Sequence, residues 1–319
     1  MRESTLRELT LRLKNAAPTL QLEENADMAR YTTLHLGGPA DLMANPDDPA
    51  QIPLLIETAK ELDVPVTVIG NGSNLLVRSG GIRGLVIRIC RNLRGVEVNG
   101  DRIRAQAGTM MSSLSMAAAD CDLGGLTFAS GIPGTIGGGV YMNAGAYGGE
   151  MSQVVTLVEG YNMAGEPFRY SRPDLHFGYR FSRLMKENKI ITHVTVQLPP
   201  GQREDLLAEM VDFNRRRAEK QPLTFFSAGS TFKRPEGAFA AQLIDECGLK
   251  GARIGGAQVS EKHAGFLINR GGTAEDFLAL MAHVQRVVYR QKGVKLEPEI
   301  KILGEDAPVS YTHLTLPTT

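Results

Sequence analysis

Ile52, Leu55, Ile56, Ala59 and Leu62 recur at helical spacing and form one apolar stripe, and the apolar run 64–69 follows directly. Helix then strand, after the extended and glycine-broken segment 31–42, predicts a β-α-β unit that closes on a loop at Gly70. An earlier stripe, Leu6, Leu9, Leu11 and Leu13, predicts a short helix over 4–14. Further strands are predicted at 85–89, 96–98, 103–107, 154–159, 168–170 and 190–198, with a helix at 112–119. Pro199-Pro200-Gly201 marks the end of this α+β unit. A helix over 204–220 connects it to a smaller unit, with helices at 238–247 and 273–291 and strands at 265–269 and 300–303. The second of these helices carries the stripe Phe277, Leu280, Met281, Val284, Val287 and Val288 behind Thr273-x-x-Asp276, close to a capping box.

Two stretches interrupt this patterning with glycine. One is 130–149, SGIPGTIGGGVYMNAGAYGG; the other is 68–76, VIGNGSNLL. Glycine lets backbone approach a ligand closely, and consecutive exposed amides form anion-binding nests. Two such loops, each after an apolar run, suit the two ends of a long phosphate-bearing cofactor; the alternative for the longer stretch is a buried structural turn. Neither loop is a Rossmann fingerprint, because Gly70 and Gly72 are followed by Leu75 and then a second strand, and no Gly-Lys-Ser/Thr P-loop occurs.

The 35 basic and 35 acidic residues balance, so nothing points to a nucleic acid or other polyanion as partner. Cys90, Cys121 and Cys247 lack paired spacing and read as free thiols of a reducing compartment. The first fifteen residues mix charges and carry no apolar core of a secretory signal, and no run has the length of a membrane span. A soluble cytoplasmic enzyme is expected. The histidines show no metal-ligand spacing, so no metal site is expected.

YTTLHLGGPADL (31–42), VIGNGSNLLV (68–77), GIPGTIGGGVYMNAGAYGGEM (131–151), FGYRFSR (177–183), SAGSTFKRP (227–235) and LEPEI (296–300) resemble, in order, the UDP-N-acetylenolpyruvoylglucosamine reductases, also called UDP-N-acetylmuramate dehydrogenases. The resemblance covers about 30–304. It implies an α+β chain: an FAD-binding fold of the p-cresol methylhydroxylase/vanillyl-alcohol oxidase type plus a smaller C-terminal α+β substrate domain. The domains are then an N-terminal helical segment (1–30), an FAD-binding domain (31–200, in subdomains of about 31–90 and 91–200), a connecting helix (201–224) and a substrate-binding domain (225–305). The tail, 306–319, does not resemble the family and is expected to be disordered or non-native.

The implied chemistry is NADPH-dependent reduction of the enolpyruvyl ether of a UDP-sugar through non-covalent FAD, in peptidoglycan precursor synthesis. No nucleic acid, membrane insertion or obligate protein partner is expected. The family pattern assigns catalysis to Arg180, Ser230 and Glu299. Without it, the arginine reads equally as a surface ion pair and the serine as a turn residue beside Gly229. Cofactor contacts fall on Ile69, Gly70, Asn71, Gly72, Ser73, Asn74, Gly108, Gly131, Ile132, Pro133, Gly134, Gly137, Gly138, Asn143, Gly145, Ala146 and Tyr147. Substrate contacts fall on Tyr179, Arg217, Lys220, Lys233, Arg234, Gln258 and His263; for Arg217 and Lys220 the plain alternative is a solvated basic helix end. Arg180 and Ser230 lie about 50 positions apart, too close for the lid insertion of the longer subtype, so the compact subtype is expected. Two readings stay open beside this one: another FAD-dependent oxidase or dehydrogenase of the same fold, and a nucleotide-sugar-binding protein without catalysis.

Overall fold

Leu9 and Leu13 lie one helical turn apart and are wholly buried, so helix α1 (Glu3–Ala16) lies against the core by one face. There follow β1 (Gln21–Asp27), β2 (Pro39–Asn45), α2 (Gln51–Glu61), β3 (Val66–Ile69), β4 (Leu75–Val77) and β5 (Ile82–Arg88). The computed structural model describes residues 1–307; of the expected tail, 308–319 lie outside the described residues, while Asp306 pairs with Arg78.

The first sheet has the order β1-β2-β5-β3. Strands β2 and β3 both run parallel to β5, with α2 as the crossover, and β1 adds antiparallel at the edge. The expected helical segment 1–30 needs correction here. Only Glu3–Ala16 is α-helical, and Gln21–Asp27 is an edge strand. Its sequence, QLEENAD, leaves most side chains in solvent, so backbone pairing with β2 holds it without an apolar alternation.

The second unit comprises β6 (Val96–Asn99), β7 (Arg102–Gln106), α3 (Met111–Asp120), α4 (Ile136–Tyr141), the separate small hairpin β8 (Gly145–Ala146) and β9 (Gly149–Glu150), β10 (Val155–Tyr161), β11 (Pro167–Ser171), α5 (Arg183–Lys186) and β12 (Ile190–Gln197), and five of its strands form one sheet. Its order is β11-β10-β12-β7-β6, antiparallel throughout. One apolar cluster runs from Leu9 and Leu55 through Ile103 and Val140 to Val194, so the two sheets share a core. Helix α4 lies inside the glycine-rich stretch, where propensity argues against a helix. Thr135 caps it, its hydroxyl accepting from the Gly138 amide at 3.3 Å.

Helix α6 (Arg203–Lys220) leads to the last unit: α7 (Ala240–Glu246), the antiparallel meander β13 (Arg253–Ile254), β14 (Ala257–Val259) and β15 (Leu267–Asn269), and α8 (Ala274–Lys292). Strand β16 (Lys301–Leu303) was expected to join this unit. It pairs instead in parallel with β4 of the first unit. The reason is apolar: Leu76 of β4, with Leu34 and Leu36, belongs to the core formed around Phe277 and Val284.

Phe277 is among the largest fully buried side chains. Phe277→Ala should cost about 3–5 kcal/mol of unfolding free energy, measured by denaturant titration, through the cavity it leaves.

Candidate active site

A cavity of about 1080 Å³ lies where the three units meet. Its walls are the loop after β3, the stretch 131–139, the start of the last unit around Ser230, and the segment carrying Glu299. The two glycine-rich loops are tied together directly, since Asn71 Nδ2 donates to the Pro133 carbonyl at 2.7 Å. Gly137 and Gly138 show how the second loop divides its work. A Cβ on Gly137 would meet Ala107 at 2.9 Å, so that glycine packs the protein. A Cβ on Gly138 would meet only the Thr135 hydroxyl, at an ordinary 3.5 Å, and would project toward the cavity.

Three chemically apt side chains converge on one wall. Gly229, at φ +77°, allows the turn that precedes Ser230. Ser230 bridges Phe266 on one side, and next to it the Thr231 carbonyl accepts the Glu299 amide at 2.8 Å. Glu299 Oε1 accepts from Arg180 Nε at 2.8 Å. The terminal nitrogens of Arg180 donate to the carbonyls of Asn143 (3.5 Å) and Gly145 (3.1 Å). A guanidinium has five N–H groups, so two remain for a ligand carboxylate. Burial holds the Glu299 carboxyl above its ordinary value, against the opposing pull of Arg180 and Lys233.

Residues 40–170 match the family model of an FAD binding domain, and 221–303 match that of the C-terminal domain of UDP-N-acetylenolpyruvoylglucosamine reductase. The reductase of Pediococcus pentosaceus is 46% identical over 92% of this chain and 98% of its own length. That of Clostridioides difficile is 43% identical, over 94% and 99%. The solved UDP-N-acetylenolpyruvylglucosamine reductase of Thermus caldophilus superposes with a TM-score of 0.76 at 34% identity, over 89% of this chain and 99% of that one. The chain belongs to the UDP-N-acetylenolpyruvoylglucosamine reductase family.

Against the family's expected positions, the cavity gathers Arg180, Ser230 and Glu299 with Ile69 to Asn74, Gly131 to Gly134, Gly137, Gly138, Gly145, Ala146 and Arg217. The remaining expected positions lie off this cavity. Gly108 packs against the Cys90 carbonyl, leaving no room even for a Cβ. Asn143 is wholly buried, with its side chain spent on Gly178 and Ser152. Tyr147 stacks on Phe213 of α6, ring centroids 4.5 Å apart. None of the three lines the cavity. Tyr179, Lys233 and Arg234 border a separate cavity of about 490 Å³. Lys220 lies exposed at the end of α6, off both cavities. Gln258 is buried in β14, its Oε1 shared by Arg253 and Arg270, so it serves the fold. His263 accepts the Gly265 amide on Nδ1 and sits edge-on to Phe266, and burial lowers its proton affinity.

The sequence reading missed Lys301, Asn214 and Gln221, which also line the cavity. Gln221 Oε1 is buried with no partner among the described residues. Arg217, one turn before it, is pushed down from its ordinary value by burial and has no carboxylate in ion-pair range among the described residues. A half-buried guanidinium without a carboxylate in range among the described residues and an orphaned acceptor on one wall suit an anionic, hydrogen-bonding ligand. The open face of Gly138 fits the FAD that the matched domain implies.

Gly138→Val should therefore give a folded protein that purifies without flavin, checked by absorbance and thermal unfolding, whereas Gly137→Val should lose stability itself. The raised Glu299 carboxyl sets a second expectation. A folded-state value above the unfolded one stabilises the fold when protonated, and that contribution is lost as pH rises through the raised value. Wild-type thermal stability should fall relative to Glu299→Gln as pH rises above the ordinary carboxylate range.

Proposed function

We propose that this chain reduces the enolpyruvyl ether of UDP-N-acetylglucosamine enolpyruvate to UDP-N-acetylmuramate, a step of peptidoglycan precursor synthesis, in the cytoplasm. The observation that carries the reading is the backbone pairing that sets Ser230 beside Glu299, with Arg180 bonded to the carboxylate on the cavity wall. No helix among the described residues is long and apolar enough to cross a membrane.

FAD, held by the loops Gly70–Asn74 and Gly131–Gly138, would supply hydride transfer between NADPH and the enolpyruvyl double bond. Hydride addition at one alkene carbon leaves negative charge on the other, delocalised into the carboxylate. Arg180 stabilises that charge with its free N–H groups, at a site partly shielded from water where such contacts are strong. The acceptor carbon then needs a proton. A serine hydroxyl is a weak acid, yet an enolate is basic enough to take its proton. Glu299, held toward its neutral form, orients this transfer or replenishes the proton. Tyr179, Lys233 and Arg234 around the smaller cavity, and Arg217 in the larger, supply donors for the diphosphate of the sugar nucleotide.

Ser230→Ala should leave flavin reduction by NADPH nearly unchanged and slow reoxidation by the sugar substrate by about 10²–10⁴-fold, the range of general acid catalysis. Rapid-mixing absorbance follows the two halves separately. Equal impairment of both would remove Ser230 from the proton-donor role.

A further inference from the structure

Arg180 sits in a conformation that arginine rarely adopts, φ +51°. Gly178 and Phe181 exchange two backbone hydrogen bonds, at 3.0 and 3.1 Å, and close Tyr179 and Arg180 into a two-residue turn. What holds this turn against the cavity is the segment just before the β8–β9 hairpin. Asn143 Nδ2 donates to the Gly178 carbonyl at 2.9 Å. On the other flank, Ser182 Oγ donates to the Tyr141 carbonyl at 2.7 Å. The Asn143 backbone carbonyl itself accepts from Arg180. The Asn143 side chain is fixed in turn, because its Oδ1 accepts the Ser152 amide at 2.9 Å.

We propose that Asn143 is a positioning residue that holds the Arg180 turn so that the guanidinium meets Glu299. Position 143 needs one donor and one acceptor at once, in a buried place and at φ +44°. Asparagine meets all three demands, since it tolerates the left-handed region and its amide carries both functions. Aspartate would keep the bond from Ser152 and set a carboxylate oxygen against the Gly178 carbonyl. Glycine would keep the backbone conformation and lose both side-chain bonds. The inference rests on the reductase reading, because it assigns Asn143 to the half-reaction in which Arg180 acts.

The test uses Asn143→Gly and Asn143→Asp, each alone and with Arg180→Ala. Both single variants should retain flavin and a cooperative thermal transition. Reduction of the sugar substrate should fall about 10–100-fold in kcat with KM little changed, the scale of a small misplacement of a catalytic group. Flavin reduction by NADPH should change by less than about 3-fold, since it does not call on the placement of Arg180 against the enolate. In the Arg180→Ala background, Asn143→Gly should add less than about 2-fold, because a residue that acts through another has nothing left to remove. A full additive loss in that background, an equal loss in both half-reactions, or failure of both variants to fold would overturn the proposal. Wild-type enzyme that leaves the enolpyruvyl substrate unreduced would instead overturn the reductase reading itself.

Discussion

The carboxylate of Glu299 is buried at the seam where the last segment of the chain changes partners. Before it, residues 297–299 pair with the segment around Phe232: Lys233 donates to the Glu297 carbonyl and Glu299 to the Thr231 carbonyl, both at 2.8 Å. After it, Lys301 donates to the Asn74 carbonyl at 2.9 Å and β16 runs alongside β4. The backbone thus leaves the C-terminal unit and joins the first unit within a few residues. A carboxyl carried into such a seam loses hydration, which favours its neutral form, and it has to find a hydrogen-bond partner. Arg180, from the second unit, is that partner. One buried side chain therefore touches the business of all three units, and the geometry of the site follows from where the chain crosses.

A second tie works from the other side of the cavity. The Thr33 amide donates to the Gly72 carbonyl at 3.2 Å, and the Thr33 hydroxyl donates to the Ser227 carbonyl at 2.7 Å. His35 of the same turn stacks on Phe226, ring centroids 3.8 Å apart. A loop that faces the cofactor side and the loop that carries Ser230 are thereby held by one short segment. With Asn71 bound to Pro133, the walls are fixed to each other before any ligand arrives. A site set in advance does not have to order its donors as charge develops, and this is where preorganised electrostatics gains over water.

What could be read from the sequence follows the range of each interaction. Helical stripes such as that of Phe277 and Val284 are local, and they give α8 almost to the residue. The loop motifs single out Arg180, Ser230 and Glu299, and the fold brings the three to one cavity. Edge strand β1 carries no alternation, because only Ala26 is buried in it and backbone pairing with β2 does most of the holding. The partner of β16 lies more than 200 positions away, and nothing in the apolar run 300–303 distinguishes one sheet from another. Asn143 lies within the glycine-rich motif, so the motif assigns it to the ligand, whereas the fold buries it with its amide bonded to Gly178 and Ser152. Lys301 and Gln221 give no signal at all, since a lysine in a strand and a glutamine after a helix are ordinary until burial singles them out.

The distribution of charge carries the argument one step further. The chain as a whole is neutral by count, 35 against 35. The cavity is not: Arg180, Arg217, Lys189 and Lys301 line it with Glu299 as their acidic counterpart. Glu299 pairs with Arg180, which leaves Arg217, Lys189 and Lys301 without a carboxylate partner on the cavity wall. Lys301 is itself pushed down by burial and by Lys233, the response of a cation placed among cations in a poorly solvated space. Such a wall is costly when empty and is stabilised by anions, most strongly where water is excluded. Pyrophosphate groups and a substrate carboxylate are the anions at hand, and negative charge that appears only during the reaction gains from the same field. The excess of cations over acids at the cavity thus serves two ends with one arrangement: it holds ligands that carry charge throughout, and it favours the moment at which the enolpyruvyl group acquires it.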